Sequence, residues 1–139
     1  MLIPVQGADL YAYTGGKAFD AAKPTVVFIH GVLNDHSVWI LQSRYLANHG
    51  WNVLAIDLPG QGKSGGKPPE SVEEAADAVL ALLKAVGVDQ AALVGHSFGS
   101  LIALEAFRDW DGRLLSMTIM GTYAAAEAFL VLGISRWRS

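Results

Sequence analysis

The sequence predicts an α/β protein with a mostly parallel sheet of about six strands, flanked by helices and followed by an extra C-terminal helix. Short apolar runs rich in β-branched residues alternate with helical segments of ten or more residues. This alternation is typical of parallel strands joined by crossover helices that cover both faces of the sheet. Polar residues directly follow three of the runs, at His30, Asp57 and Ser97. Because ligands in such sheets bind beyond the carboxyl ends of the strands, these residues are expected to line one cleft.

The first half of the chain is predicted to contain four strands and one helix. Residues 2–16 read as two short strands around a Gly-Ala-Asp turn, and the β-branched run at 24–31 as a buried strand that stops at a glycine. A helix is expected over 37–50, with Ser37 as its N-cap. A second buried strand follows at 51–60.

The second half is predicted to continue the same alternation to the end of the chain. Ser71 followed three residues later by Glu74 is a capping box, which indicates a helix start. The predicted elements are a helix over 71–88, a strand over 90–97, a helix over 98–110, a strand over 113–122 and a terminal helix. One domain, 1–139, is therefore expected, with a core at 1–121 and an atypical C-terminal helix at 122–139.

Composition excludes several classes of function. A net charge of −3 and a pI near 5.7 leave no basic patch, so nucleic acid is not an expected partner. The absence of cysteine excludes disulfides and thiol catalysis. The first residues lack the pattern of a signal peptide, and the apolar run near the end is too short to span a bilayer. We expect a cytoplasmic protein without a membrane partner, a metal or a cofactor.

The loop that begins at Asp57 contains a lysine among glycines, which raises the question of phosphate binding. Its sequence, "DLPGQGKSGG", does not match the spacing of the phosphate-binding loop, because Gly60 lies only two residues before Gly62. A structural turn that orders the rim of the cleft is the better interpretation of this loop, including Asp57.

The strongest signal is the stretch "LVGHSFGS", in which Ser97 lies between a predicted strand and a predicted helix. Gly95 and Gly99 flank it at a spacing typical of a sharp turn that has no room for a Cβ atom on either side. Such a turn presents the serine hydroxyl for nucleophilic attack. The alternative is an ordinary strand-to-helix turn with Ser97 as N-cap. His96, next to the serine, is expected to be a packed histidine.

Two backbone amides are candidates for an oxyanion hole. Gly31 allows the chain to turn after the strand, so that the amide of Val32 points into the cleft. The amide of Phe98 lies at the start of the following helix, where amide groups lack intrahelical partners. His30 is expected to be a hydrogen-bonded structural residue rather than a base.

Three motifs in this order, "FIHGVLNDHSVW", "AIDLPGQGKSGG" and "LVGHSFGS", make the chain resemble the α/β-hydrolase superfamily, in particular its esterase, haloperoxidase-like and C–C-bond hydrolase branches. The resemblance extends over about 26–121. It implies Ser97 as the nucleophile, with the amides of Val32 and Phe98 as the oxyanion hole. The family's catalytic acid and histidine follow the serine, and this chain has no histidine after Ser97. We therefore expect a family fold truncated after its sixth strand.

The missing histidine leaves the catalytic base open. His36 lies in the loop after Gly31, beside Asp35, and is the candidate within the chain, whereas His49 is expected at the surface. The other candidate source is a second subunit. An exposed edge at the strand "LLSMTIM" and an apolar C-terminal helix predict a homodimer or higher homo-oligomer.

The sequence thus favours a serine hydrolase with an incomplete triad that acts on small-molecule carboxylic esters. Without its histidine, such an enzyme is expected to prefer activated esters or phosphotriesters with good leaving groups. The alternative is a non-catalytic, oligomerising fragment of the same fold.

Overall fold

The computed structural model describes residues 1–20, 22–123 and 126–132. These residues form one seven-stranded sheet and three α-helices. The strands are β1 (Leu2–Val5), β2 (Ala8–Tyr13), β3 (Thr25–Ile29), β4 (Asn52–Ile56), β5 (Gln90–His96), β6 (Arg113–Tyr123) and β7 (Ala126–Leu132). The helices are α1 (Ile40–Ala47), α2 (Val72–Ala85) and α3 (Phe98–Asp109).

The sheet has the order β1-β2-β4-β3-β5-β6-β7. Its four central strands pair in parallel, whereas β1, β2 and β7 join through antiparallel pairing. Every residue of β3 and β4 is buried, as expected for strands that are covered on both faces. The predicted α/β class with a mostly parallel sheet is confirmed.

Helices cover the two faces of the sheet unequally. On one face, α2 and α3 pack against each other and bury the larger apolar cluster, with Leu82, Leu93 and Ile102 at its centre. On the other face, α1 covers a smaller cluster that contains Phe28 and Trp39. None of the helices in the described part of the chain is long and apolar enough to cross a membrane.

The first helical segment begins differently from the prediction. A 3₁₀ turn, His36–Trp39, precedes α1, and Asp35 is its N-cap because its carboxylate accepts a hydrogen bond from the Ser37 amide at 2.8 Å. Asp35 and Ser37 are both residues that favour the N-cap position, so the sequence does not distinguish between them. The predicted Ser37 cap is therefore wrong by two residues.

The capping box predicted for the next helix is formed in part. The Ser71 hydroxyl accepts a hydrogen bond from the Glu74 amide at 3.1 Å, as predicted. The Glu74 carboxylate accepts from the amide of Glu70 at 2.9 Å, one residue before the N-cap. The bond to the Glu74 amide satisfies an amide in the first turn of α2, which a helix leaves without an intrahelical partner.

The C-terminal helix predicted for 122–139 is wrong over the residues that the structure describes there. Ala126–Leu132 form β7, which pairs antiparallel with Met117–Tyr123 of β6. A short apolar run is compatible with either a strand or a helix, and β6 is long enough to offer an unpaired edge. The edge predicted at "LLSMTIM" is thus paired over its second half. The rest of the predicted helix, at 124–125 and 133–139, lies outside the described residues.

Candidate active site

The carboxyl ends of three neighbouring strands bring the predicted site residues to one edge of the sheet. His30 follows β3, Asp57 follows β4, and Ser97 follows β5. In the sheet, β3 lies between β4 and β5. These three residues therefore share an edge, as the sequence predicts, with His30 in the middle.

Ser97 lies at the apex of the turn between β5 and α3, in a strained conformation. Its backbone has φ 56° and ψ −119°, values that residues with a side chain rarely adopt. The residue is exposed and occupies the N-cap position of α3, yet its hydroxyl makes no capping hydrogen bond. The geometry thus differs from an ordinary serine-capped turn, in which the hydroxyl accepts a hydrogen bond from a helix amide.

The two flanking glycines are required by close contacts between backbone segments. A Cβ atom added to Gly95 would lie 2.6 Å from the carbonyl carbon of Gly99 and 2.8 Å from Cα of Ser100. One added to Gly99 would lie 2.7 Å from the carbonyl oxygen of His30. Because real Cβ atoms do not approach backbone this closely, both positions accept only glycine.

Ser100 holds this turn to the sheet through hydrogen bonds. It is a site residue that was not predicted from the sequence. Its buried hydroxyl lies 3.0 Å from the carbonyl oxygens of both Gly95 and Met120. It also accepts a hydrogen bond from the Met120 amide at 3.2 Å. The Ser97 amide donates to the same Met120 carbonyl at 2.7 Å. The only sequence signal for this role is a small hydroxyl residue one position after the second glycine.

The loop after β3 passes directly beside Ser97. A Cβ atom on Gly31 would lie 3.3 Å from the Cβ of Ser97 and 3.5 Å from the side-chain amide nitrogen of Asn34. The next two residues, Val32 and Leu33, are 62% and 95% exposed. Leu33 has φ 61°, a second strained non-glycine residue close to the serine. The predicted oxyanion donor Val32 therefore lies one residue from the closest approach to Ser97.

Asp57 is a buried carboxylate that receives hydrogen bonds from two other segments. Its side chain is 0% exposed. Oδ1 accepts from the backbone amide of His36 at 2.6 Å, and Nδ1 of the same residue lies 2.9 Å away. Oδ2 accepts from the Lys63 amide at 2.8 Å. A buried carboxylate is stable only when it is hydrogen-bonded in this way.

The glycine-rich loop after β4 wraps around this carboxylate. Gly62 has φ 52°, and a Cβ atom there would lie 2.5 Å from Cγ of Asp57. The Ser64 hydroxyl donates to the Asp57 carbonyl at 2.6 Å and accepts from the Tyr11 amide of β2 at 2.8 Å. The prediction that this loop is a structural turn at the cleft rim agrees with these contacts. The structural roles of Gly62 and Ser64 were not predicted, although the sequence "GQGKS" carries a signal for them.

His36 is brought to Asp57 and not to Ser97. Its ring packs near Tyr11 and Tyr13 of β2, at centroid distances of 5.0 and 5.7 Å, on the far side of β4 from β5. Neighbouring strands are about 4.8 Å apart, so the strand ends that carry Asp57 and Ser97 are separated by about 10 Å. A hydrogen bond between His36 and Ser97 does not fit this arrangement.

His30 is fully buried and hydrogen-bonded on both ring nitrogens, in agreement with its predicted structural role. The Leu58 amide donates to Nε2 at 3.1 Å, so Nδ1 carries the proton and donates to the Gly31 carbonyl at 2.7 Å. Burial lowers the pKa of His30 below its ordinary value of 6.5, while the Gly31 carbonyl and the charge of Asp57 act in the opposite direction. The neutral ring links β3 to the residue after Asp57.

The lowered pKa of His30 predicts that the fold loses stability in mild acid. The unfolded chain takes up a proton near pH 6.5 that the folded chain resists, so the free energy of unfolding falls as the pH drops below about 6.5. One group contributes at most about 1.4 kcal/mol per pH unit. Urea denaturation at pH 7.0 and 5.5 should give a lower value at pH 5.5.

His49→Gln is the matched control for this prediction, because His49 is exposed and lies in the turn after α1. It should preserve the pH dependence, whereas His30→Gln should flatten it. If His30→Gln does not fold, the ¹⁵N chemical shifts of the His30 ring in the wild-type protein report its protonation state instead. A His30 ring that titrates at or above its ordinary pKa of 6.5 would contradict the assignment.

The remaining two histidines, His96 and His49, have partners other than the serine hydroxyl in the described part of the chain. His96 is half-buried, and its ring meets the edge of Trp39 at a centroid distance of 6.4 Å. His49 lies at the surface, stacks on Tyr45 and hydrogen-bonds its carbonyl at 2.6 Å. In the part of the chain described by the structure, no imidazole hydrogen-bonds the Ser97 hydroxyl.

Asp35, His36 and Asp57 place possible metal-ligating atoms within 4.8 Å of one another. Hydrogen bonds already account for this cluster. Asp35 caps the 3₁₀ turn, and the Ser37 hydroxyl and amide lower the pKa of its carboxyl. Both oxygens of Asp57 accept bonds from amides and from the ring of His36. The cluster is explained without an ion.

Sequence comparison identifies the relatives of this chain. Residues 24–137 match the family model described as the alpha/beta hydrolase fold. The dihydrolipoyllysine-residue acetyltransferase component of an acetoin cleaving system from Cupriavidus necator is 32% identical over 119 residues, 85% of this chain and 30% of that protein. A putative carbamate hydrolase, RutD, from Azorhizobium caulinodans is 32% identical over 124 residues, 88% of this chain and 44% of that protein. The chain spans less than half the length of either relative.

Structural comparison gives the same result. Est816, an N-acyl homoserine lactone degrading enzyme, is 30% identical with a TM-score of 0.72, over 86% of this chain and 44% of that one. A predicted CIB-like hydrolase from Thermoplasma acidophilum has a TM-score of 0.76 at 20% identity, over 90% and 63% of the two chains, and supports the fold alone. The family match extends from the start of β3 to beyond β7 and includes the turns at Gly31, Asp57 and Ser97. The chain therefore belongs to the alpha/beta hydrolase fold family.

Proposed function

We propose that this chain is a serine hydrolase that acts on carboxylic esters, with Ser97 as the nucleophile. The observation that carries the proposal is the strained backbone of Ser97, φ 56° and ψ −119°, with an exposed hydroxyl that does not cap the following helix. Strain of this size persists only where the surrounding structure imposes it, and it concentrates at functional sites. Here Gly95, Gly99 and Ser100 impose it.

The proposed reaction proceeds in two steps. The Ser97 oxygen attacks the ester carbonyl, the bond to the alcohol breaks, and the serine proton leaves with the alcohol. Water then hydrolyses the acyl-serine, which releases the carboxylic acid and restores the hydroxyl. The amides of Val32 and Phe98 are proposed to stabilise the oxyanion in both steps, since Val32 follows Gly31 beside Ser97 and Phe98 begins α3.

The comparisons support hydrolysis as the general chemistry. The relatives include a putative carbamate hydrolase and a lactone degrading enzyme, and a lactone is a cyclic ester. Ester hydrolysis by this chain is the narrower claim, and it depends on Ser97. The proposed substrates are small esters with good leaving groups, with activated phosphotriesters as a second group.

The source of the base is part of the proposal. The sequence suggested His36 or a group from a second subunit. Because both the amide and the ring of His36 are bound to Asp57, about 10 Å from the serine, the geometry favours a group other than His36. An oxyanion hole and substrate binding without an intact triad can still accelerate hydrolysis about 10³- to 10⁴-fold over water. We therefore expect slow turnover of activated esters.

Replacement of Ser97 by alanine tests the proposal. With nitrophenyl acetate and nitrophenyl butyrate, Ser97→Ala should reduce kcat/KM at least tenfold, because the acyl-serine cannot form. Ser116→Ala is the matched control, since this half-buried serine lies in β6 away from the turn. Unchanged turnover in Ser97→Ala would show that hydrolysis does not use this residue.

If the wild-type chain does not hydrolyse these esters, the alternative is favoured, namely a non-catalytic oligomerising fragment. A homodimer or higher homo-oligomer remains part of both proposals, because β7 lies at an end of the described sheet with one side unpaired among the described residues. Light scattering should then give a mass above the 14.8 kDa of one chain. A mass of one chain would remove the second subunit as a source of the base.

A further inference from the structure

The loop from Gly31 to His36 is attached at both ends, to the turn at Ser97 and to the carboxylate of Asp57. At its first residue the loop lies beside Ser97, since a Cβ atom added to Gly31 would be 3.3 Å from the serine Cβ. At its last residue both the amide and the ring of His36 bind the carboxylate of Asp57. Val32 and Leu33 are the most exposed residues between these two ends, and their side chains do not pack into the core.

The hydrogen bonds determine the orientation of the His36 ring. Asp57 is buried and accepts from backbone amides, so it is the acceptor and Nδ1 of His36 is the donor. Tyr11 and Tyr13 pack on the ring at 5.0 and 5.7 Å. The side chain is 12% exposed, so most of the ring is packed against protein. This ring is held in place for the hydrogen bond that it donates.

We propose that His36 is a positioning residue, which holds the 31–36 loop to Asp57 and thereby keeps the Val32 amide in place beside Ser97. This inference rests on the proposed function and assigns His36 a role other than that of a base. A displacement of an oxyanion donor by a fraction of an ångström lowers the rate of the chemical step more than it weakens substrate binding. We call the hydrogen bond from the His36 ring to Asp57 the clamp. Its loss should therefore lower kcat and leave KM nearly unchanged.

Two substitutions distinguish a donor from a base. In His36→Asn, the side-chain amide can donate to Asp57 from about the position of Nδ1, but it cannot accept a proton from serine. In His36→Ala, the ring donor is lost and only the backbone amide of residue 36 still donates to Asp57. We expect His36→Ala to lower kcat for nitrophenyl butyrate about tenfold with KM within twofold, and His36→Asn to recover most of that loss. His49→Ala, at an exposed histidine outside the cleft, is the matched control and should keep wild-type turnover.

The opposite pattern overturns the inference. If His36→Asn and His36→Ala lose kcat equally, and added imidazole restores both, His36 acts as the base. If His36→Ala keeps wild-type kcat, the clamp has no effect on the reaction. Circular dichroism at the assay temperature must show that each variant is folded, so that a lower kcat is not a loss of folded protein.

Hydrogen exchange separates failure of this inference from failure of the proposed function. Without its clamp, the loop should open more often, so amides at 32–35 should exchange at least tenfold faster in His36→Ala and near the wild-type rate in His36→Asn. This readout requires no turnover. If Ser97→Ala shows that Ser97 is not used, the exchange rates still decide whether His36 orders the loop. Equal exchange in all three proteins would contradict the clamp.

Discussion

Gly99→Ala is expected to destabilise the protein by more than about 4 kcal/mol. The added Cβ would lie 2.7 Å from the carbonyl oxygen of His30 and closer still to that of Ile29. Both atoms belong to the backbone at the end of the central strand β3, which is paired on both sides and cannot move away. Costs of this size are exceptional for one substitution and are a large part of the 5–15 kcal/mol that stabilises a typical domain.

Urea denaturation of Gly99→Ala and of a matched variant, Gly121→Ala, checks this expectation. Gly121 lies in β6, has no positive φ, and has no atom within 4 Å of the position of an added Cβ. Its substitution should change the free energy of unfolding by less than about 0.5 kcal/mol. A Gly99→Ala protein within 1 kcal/mol of wild type would mean that α3 does not approach β3 as described.

Asp57→Asn is expected to cost about 3 to 5 kcal/mol, although it preserves the shape of the side chain. The two carboxylate oxygens accept from the His36 amide, the His36 ring and the Lys63 amide. An asparagine has one acceptor and one donor, so either orientation directs its NH₂ group at a backbone N–H. Breaking a buried, charge-assisted set of bonds on one side leaves the partners without acceptors, which accounts for the size of the loss.

Asp77→Asn provides the control for this substitution, because Asp77 is exposed on α2. It should leave the melting temperature nearly unchanged, whereas Asp57→Asn should lower it by about 10 °C or more. A double-mutant cycle with His36→Ala adds a second check. The two substitutions should not be fully additive, since both remove the bond between the His36 ring and Asp57. Additive losses would show that Asp57 and His36 do not act as one unit.

The parts of the fold that follow from local chemistry could be predicted from the sequence. The buried strand β3 was evident because a β-branched run is bounded by a proline and by His30-Gly31. The turn at Ser97 was evident from Gly95 and Gly99. At both positions a side chain larger than a hydrogen atom does not fit between β3, β5 and α3. Each of these features is determined by a few consecutive residues.

Features that depend on distant segments could not be predicted in the same way. The bond between His36 and Asp57 joins residues 21 positions apart, and nothing in either local sequence indicates that the loops meet. As a result, the sequence makes His36 a candidate base for Ser97, whereas its ring lies across two strands from that serine. The strand β7 was missed because "AFLVL" is too short for its periodicity to separate a strand from a helix.

Covalent labelling tests the central claim, that Ser97 is a nucleophile, most directly. A fluorophosphonate reacts with an activated serine when the oxygen attacks phosphorus and fluoride leaves, so the adduct reports nucleophilicity without requiring a complete reaction cycle. After incubation with the folded chain, intact mass and peptide mapping should find one adduct, on Ser97, and Ser97→Ala should remain unlabelled. An unlabelled wild-type chain, or an adduct that persists in Ser97→Ala, would contradict the claim.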